Sequence, residues 1–243
     1  MNNRLLGGDI QLMPDGGRKE SGRRMFLSAA FAAGLVPFAV PFTAHAADKL
    51  ETGGLTFRDF GTPDNGSSFT RGEQSIGGGT SQTFTRVLGI DPANQAVRLR
   101  FDSIKVELLL PMGWQATEDW ERGVAYTIDK RFRLVVWRVD FAYEGVKDAQ
   151  HYAATKAGSI KSRRPGVQAQ ARKLSDGSFV VVYENVPKGP TDSGPRTVFD
   201  WVIPNPRNGK LGILVTLGMP ANDASRGLQL LALITQNMRI DWQ

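Results

Sequence analysis

Phe132-Arg133-Leu134-Val135-Val136-Trp137-Arg138-Val139-Asp140-Phe141 decides the fold. Alternate residues of a strand point to opposite sides. Here Phe132, Leu134 and Val136 fall on one parity, and Val135, Trp137, Val139 and Phe141 on the other. A strand that is apolar on both sides belongs in the middle of a sheet covered on both faces. The elements around it must therefore supply the rest of the sheet and two covers.

Downstream, Asp148 to Ser162 contains no Pro and carries Ala149, Ala153, Ala157 and Ile160 at helical spacing. Asp148 suits a helix start, Lys161, Arg163 and Arg164 suit its end, and Pro165-Gly166 stops it. Val167–Leu174 and Phe179–Val186 read as strands joined by a Ser175-Asp176-Gly177 turn. Thr197–Ile203 and Leu211–Leu217 follow, and Asn222-Asp223 caps a closing helix with Leu228, Leu231, Ile234 and Met238 on its inner stripe. Upstream, Val97–Phe101, Ile104–Leu110 and Val124–Ile128 read as strands. Short connections make neighbouring strands antiparallel. The expected fold is α+β: one antiparallel β-sheet flanked by helices, spanning residues 96–243.

This run of elements resembles the PsbP-like sandwich family, which includes the bacterial DcrB-type and mycobacterial LpqN-type proteins. The likeness rests on Leu108-Leu109-Leu110-Pro111-Met112-Gly113-Trp114, the doubly apolar strand, the Ala-rich helix after it, and the closing helix after Met219-Pro220. It implies an antiparallel sheet flanked by helices, and a role in binding or assembly without a shared catalytic site. No functional residue is carried across. The lipoprotein relatives need an acylated Cys, and this chain has none.

Residues 47–95 differ in composition. Gly53-Gly54, Gly61, Gly66, Gly72 and Gly77-Gly78-Gly79 lie among Ser, Thr, Asn and Asp, as in a flexible Gly-rich N-terminal arm. Leu55–Phe57 and Thr83–Thr85 could form short strands there, and Phe57, Phe60, Phe69 and Phe84 would anchor the arm if a partner ordered it. Residues 1–46 carry an address. Arg23-Arg24 precedes twenty uncharged residues, Met25 to Ala44, and Ala44-His45-Ala46 is a small-x-small cleavage site. This resembles a twin-arginine (Tat) signal peptide cleaved after Ala46, which predicts export to the periplasm, with the Tat translocase as a partner in transit. The stretch is Ala- and Gly-rich and holds Pro37 and Pro41, so it is a poor permanent anchor.

The mature chain of 197 residues carries 25 basic and 21 acidic side chains. That mild, scattered excess does not suggest nucleic-acid binding. Without Cys there can be no disulfide, Cys-ligated metal or Cys nucleophile, and two His make a multi-His metal site unexpected. No cofactor is expected. Gly72 to Thr80 has the glycine spacing of a phosphate loop, but Gly78 stands where the lysine must be. His151 reads as an ordinary helical residue.

The expected role is therefore non-catalytic: binding or helping to assemble an envelope protein or small ligand. The candidate contact residues are Trp114, Trp120, Lys161, Arg163, Arg164 and Pro190, the last in a long, proline-stiffened loop between strands. The alternative is an exported hydrolase acting on envelope sugars through carboxylates. Glu118, Asp119 and Glu121 around Trp120 are its acidic residues, read otherwise as a solvated loop. A carrier of an apolar ligand is a third possibility, and needs a closed cavity between helix and sheet.

Overall fold

The computed structural model describes residues 49–61, 85–189 and 192–242. The residues of the export signal (Arg23, Arg24, Ala44 and Ala46), together with Phe69, Phe84 and Pro190, lie outside them. Strands β1 (Arg86–Asp91), β2 (Ala96–Phe101), β3 (Val106–Pro111), β4 (Trp114–Glu118), β5 (Arg122–Thr127) and β6 (Arg133–Asp140) come first. Helix α1 (Ala149–Arg163) follows, then β7 (Gln168–Lys173), β8 (Phe179–Val186), β9 (Arg196–Pro204) and β10 (Leu211–Pro220). Helix α2 (Ala224–Gln236) and the short β11 (Arg239–Ile240) close the fold.

The architecture is the α+β sandwich expected, and every described strand pair is antiparallel. It holds two sheets rather than one: β1-β2-β3-β11, and β4-β5-β6-β10-β9-β8-β7. The split falls at Pro111-Met112-Gly113. Gly113 takes φ 84°, a left-handed turn that glycine adopts without strain, and β4 leaves to pair with β5 in the larger sheet.

Strand β6 lies third of seven and pairs with β10, and both bury residues on two faces. On one face Leu134, Val136, Phe199, Trp201, Ile213, Val215 and Leu217 pack with the smaller sheet and with Leu230, Leu231 and Ile234 of α2. On the other, Val139, Phe141, Val181, Tyr183, Val202 and Leu214 pack with Ala149, Tyr152, Ala153 and Ala157 of α1. Each face thus receives its own cover.

Several expectations need correction. Within 47–95, Leu50, Phe57 and Phe60 are buried in the core, and Arg86–Asp91 is an ordered strand. Leu55–Phe57 is not a strand: Phe57–Phe60 is a 3-10 turn, held where Thr56 N and Oγ1 both donate to Asp59 Oδ2 at 2.7 and 2.9 Å. The two aromatic anchors found the chain's own core. Asp223 makes no side-chain cap on α2 and instead accepts from Arg131 Nη2 at 2.6 Å. Leu228 and Met238 are only partly buried, and Leu230 and Leu233 join the inner face of α2 in their place. The tail after α2 pairs with β3 through Arg239 and Ile240.

The sheets approach closely at Gly123. A Cβ there would lie 2.2 Å from the Phe101 ring, which is itself fully buried. Gly123→Ala should therefore destabilise the fold by about 1–3 kcal/mol, the range of core overpacking. A denaturant midpoint unchanged from wild type would refute this contact.

Candidate functional site

Helix α1 forms because its inner positions are small. Alanines at 149, 153 and 157 let it lie close to β7, β8 and β9. Asp148 Oδ1 accepts the His151 amide at 2.8 Å and satisfies the first turn. His151 is exposed, and its Nδ1 accepts the Lys147 amide at 3.3 Å, so it is occupied locally, as an ordinary helical residue would be.

One polar group is sealed under the helix. Asp200 of β9 is buried, with Tyr183 OH donating to Oδ2 at 3.0 Å and Thr216 Oγ1 to Oδ1 at 2.5 Å. Lys156 of α1 reaches the same carboxylate at 3.5 Å. Burial pushes the Tyr183 and Tyr152 hydroxyls well above the ordinary tyrosine range, and the Asp200 charge adds to this. These groups stay protonated and pin helix to sheet.

The outer side of α1 is different. From Ala149 to Leu174 there are six Lys or Arg and no Asp or Glu. Lys156 is spent on Asp200, while Lys161, Arg163, Arg164, Arg172 and Lys173 are exposed. The Arg163 guanidinium is oriented by Ser159, donating to its Oγ at 2.9 Å. Strand β7, beside the helix, is an edge of the larger sheet. Ala169 and Ala171 face α1, so Arg172 points to the opposite side of the sheet, while Lys173 lies over the Phe179 ring. The cations gathered at the helix end are Lys161, Arg163 and Arg164, all three candidate contact residues from sequence.

The two candidate tryptophans separate. Trp120 is 71% exposed, at the β4–β5 turn. Trp114 is 1% exposed, packs against Phe132, and donates its indole N–H to the Phe60 carbonyl at 3.2 Å. It is core and no contact residue, because the chain 54 positions upstream folds over it.

The acidic group around Trp120 is not one solvated loop. Asp119 shapes the turn, accepting the Glu121 and Arg122 amides at 2.8 and 2.9 Å and Arg122 Nε at 3.0 Å. Glu118 is only 1% exposed and neither of its oxygens completes a hydrogen bond. Burial, with the negative charge of nearby Asp102 adding, pushes its carboxyl up to about 7. Asp102 goes the other way: burial opposes its charge, but hydrogen bonds from Arg86 and Arg100 outweigh this and hold it below the ordinary range. Such a split is what acid–base catalysis uses. Here the acid is closed off from solvent, where no substrate reaches it.

A third feature is a groove of about 470 Å³ between the β7–β8 turn and the end of α2, lined by Leu50, Leu174, Asp176, Trp201 and Gln236 among others. Its acid, Asp176, is engaged by the Ser178 amide and hydroxyl at 2.9 and 2.6 Å. The groove is open and of mixed polarity rather than a closed apolar chamber. Among the described residues, no helix is long and apolar enough to cross a membrane.

No family model matches the chain. No curated protein matches it either. Among solved structures, the Ran-binding protein Mog1p of Saccharomyces cerevisiae is similar over 60% of this chain and 95% of its own, at 12% identity and a TM-score of 0.44. The cyanobacterial PsbP of Synechocystis sp. PCC 6803 is similar over 69% of this chain and 98% of its own, at 17% identity and a TM-score of 0.43.

The Glu118 carboxyl sets a pH dependence. Its folded value lies above the ordinary 4.5, so the native state binds the extra proton. The stability that comes from keeping Glu118 neutral is complete below about pH 4.5 and is lost as pH rises through about 7. The loss is on the order of 3 kcal/mol. Urea midpoints at pH 5 and pH 8 should differ in wild type, and the difference should shrink in Glu118→Gln. Equal pH dependence in both proteins would refute the assignment.

Proposed function

We propose that this chain is exported to the periplasm by the Tat pathway, loses residues 1–46, and works there as a non-catalytic binding or assembly-accessory protein. The partner is an envelope protein or an anionic ligand. One observation carries the reading: the cationic end of α1, where Lys161, Arg163 and Arg164 are exposed within a 26-residue stretch that holds no acidic residue. Like charges gathered on one side repel and do not stabilise a fold. They favour an anionic partner and speed its encounter.

The export half of the reading rests on Arg23-Arg24 and Ala44-His45-Ala46. Arg23→Lys with Arg24→Lys should leave the full-length chain in the cytoplasm, while wild type yields a periplasmic form starting at Ala47. Cell fractionation and intact mass read both. A periplasmic form from the double variant would remove the twin-arginine route.

The hydrolase alternative draws on the Glu118–Asp102 split. Catalysis there needs Glu118 uncovered, and it is sealed under the β2–β3 turn. Glu118→Gln should leave partner capture intact, whereas Arg163→Ala with Arg164→Ala should weaken it several-fold. The reverse pattern in a quantitative periplasmic pull-down would favour an enzyme.

A further inference from the structure

We infer that β1 is an association edge for a second copy of this chain. Arg86–Asp91 pairs antiparallel with its own two-fold mate, Arg86 against Asp91 and Val87 against Ile90, and the two smaller sheets become one. This goes beyond the binding reading above and does not depend on it.

The edge is unguarded. Among the described residues β1 pairs with β2 alone, so a row of its backbone N–H and C=O groups faces away from the sheet. Five of its six positions are exposed. Leu88 and Ile90 are among the large apolar side chains exposed on the described surface, each at 42%. No charge lies between Val87 and Ile90. The other edges are short or polar: β7 carries Gln168, Gln170, Arg172 and Lys173, β4 ends on Glu118, and β11 has two residues.

A bulge selects the occupant. In a two-fold antiparallel pair, residues set opposite each other lie on the same face of the sheet. Arg86 and Asp91 are five positions apart, and in a regular strand they would lie on opposite faces. The extra residue Leu88, between Val87 and Gly89, changes this. Arg86 stands beside Arg100 and Asp91 beside Ala96, which share one face of β2. Val87 stands beside Leu99 and Ile90 beside Val97, both on the core face. Turned about a two-fold axis between Leu88 and Gly89, β1 thus meets its own copy with opposite charges at both ends and apolar pairs inside them. Ile90 lacks such a neighbour within the chain: it faces the core side beside the fully buried Val97 and is still 42% exposed.

A bulge commonly turns an edge away from other strands. This one brings the edge into register with itself, a match that a strand of another protein would not need. Each end charge also bonds within its own chain, Arg86 to Asp102 and Asp91 to Asn94, so the charges set the register more than the strength. A single strand edge falls short of the roughly 1,200 Å² of a stable interface, so the dimer is weak and concentration-dependent.

The chain holds no Cys, so single cysteines report the register. In the two-fold pair the two copies of residue 88 lie about 6 Å apart between Cα atoms, within disulfide range, and the two copies of residue 91 about 17 Å apart. With copper phenanthroline as oxidant, mature Leu88→Cys should form a covalent dimer, while Asp91→Cys and Ile128→Cys, equally exposed, should stay monomeric. Sedimentation of the mature wild type should show a dimer growing between about 10 µM and about 1 mM. Leu88→Lys should weaken it at least tenfold with the melting temperature unchanged. A wild type that stays monomeric overturns the inference, as does equal cross-linking of the three cysteines. A dimer indifferent to Leu88→Lys forms elsewhere and overturns it too. Amide exchange in β1 that is slow and equal at both concentrations would give the edge to another segment of the same chain, again overturning it. Each of these results leaves the binding reading of α1 standing.

Discussion

The seven-stranded sheet has two apolar faces, and the rest of the molecule exists to keep both out of water. Strand β10 shows the constraint most plainly: Ile213, Val215 and Leu217 face one side, Leu214 the other, and all four are fully buried. One cover is built from α2 and the smaller sheet, with long side chains such as Leu230 and Phe101 filling the space between layers. The other is α1 alone. Its inner alanines bring helix and sheet close, so a thin layer suffices. The difference between the covers decides what each leaves outside. The first cover presents the outer face of the smaller sheet to solvent; the second presents a helix face.

Polar groups caught between these layers meet opposite fates. Asp200 has a tyrosine, a threonine and a lysine around it, and such a network strengthens in a low dielectric when each member is paired. Glu118 has Asp102 for a neighbour instead, and burial, with that negative charge adding, pushes its carboxyl up to about 7. Arg86 and Arg100 are committed to Asp102, and Arg100 also bonds Glu107 at 3.0 Å. The cations at that end of the molecule thus stabilise one carboxylate and leave the other to protonate. Both arrangements serve packing, and neither opens onto a cleft.

Elements with a strong local pattern were legible: β6 from its double apolar parity, α1 from its alanine stripe and Asp148, the β7–β8 hairpin from Ser175-Asp176-Gly177. The edge strands β1, β4 and β11 were not: β1 is exposed at nearly every position and shows no alternation, β4 is five residues long and ends among acids, and β11 is two residues long and defined by β3, far upstream. Trp114 was misplaced because its hydrogen-bond partner also lies far upstream. Glu118 did carry a readable signal. Trp114, Ala116 and Glu118 share one strand parity, so a buried tryptophan at the start predicts a buried glutamate at the end. The density of Asp and Glu around it obscured that alternation. Lys161, Arg163 and Arg164 were legible as an exposed cluster, since helix-end cations reach water whatever the packing beneath.

A structural account of the α1 surface goes only part of the way. Cations in a last helical turn interact with the helix dipole, about 0.3–1 kcal/mol each, and this covers Lys161 and Arg163. It does not cover Arg172 and Lys173 on the neighbouring strand, nor the lack of acidic residues over 26 positions, each of which raises the repulsion among like charges. Nor does it cover Gly158, which weakens the helix for no internal contact. Lys156 shows what a purely stabilising cation looks like here: it bends back over the Tyr152 ring and ends on Asp200. Arg163 and Lys173 are also held locally, the first donating to Ser159 O and Oγ and the second lying over the Phe179 ring. Gly158 and the acid-free run from Ala149 to Leu174 are thus the features of this side of the molecule that the packing beneath does not require.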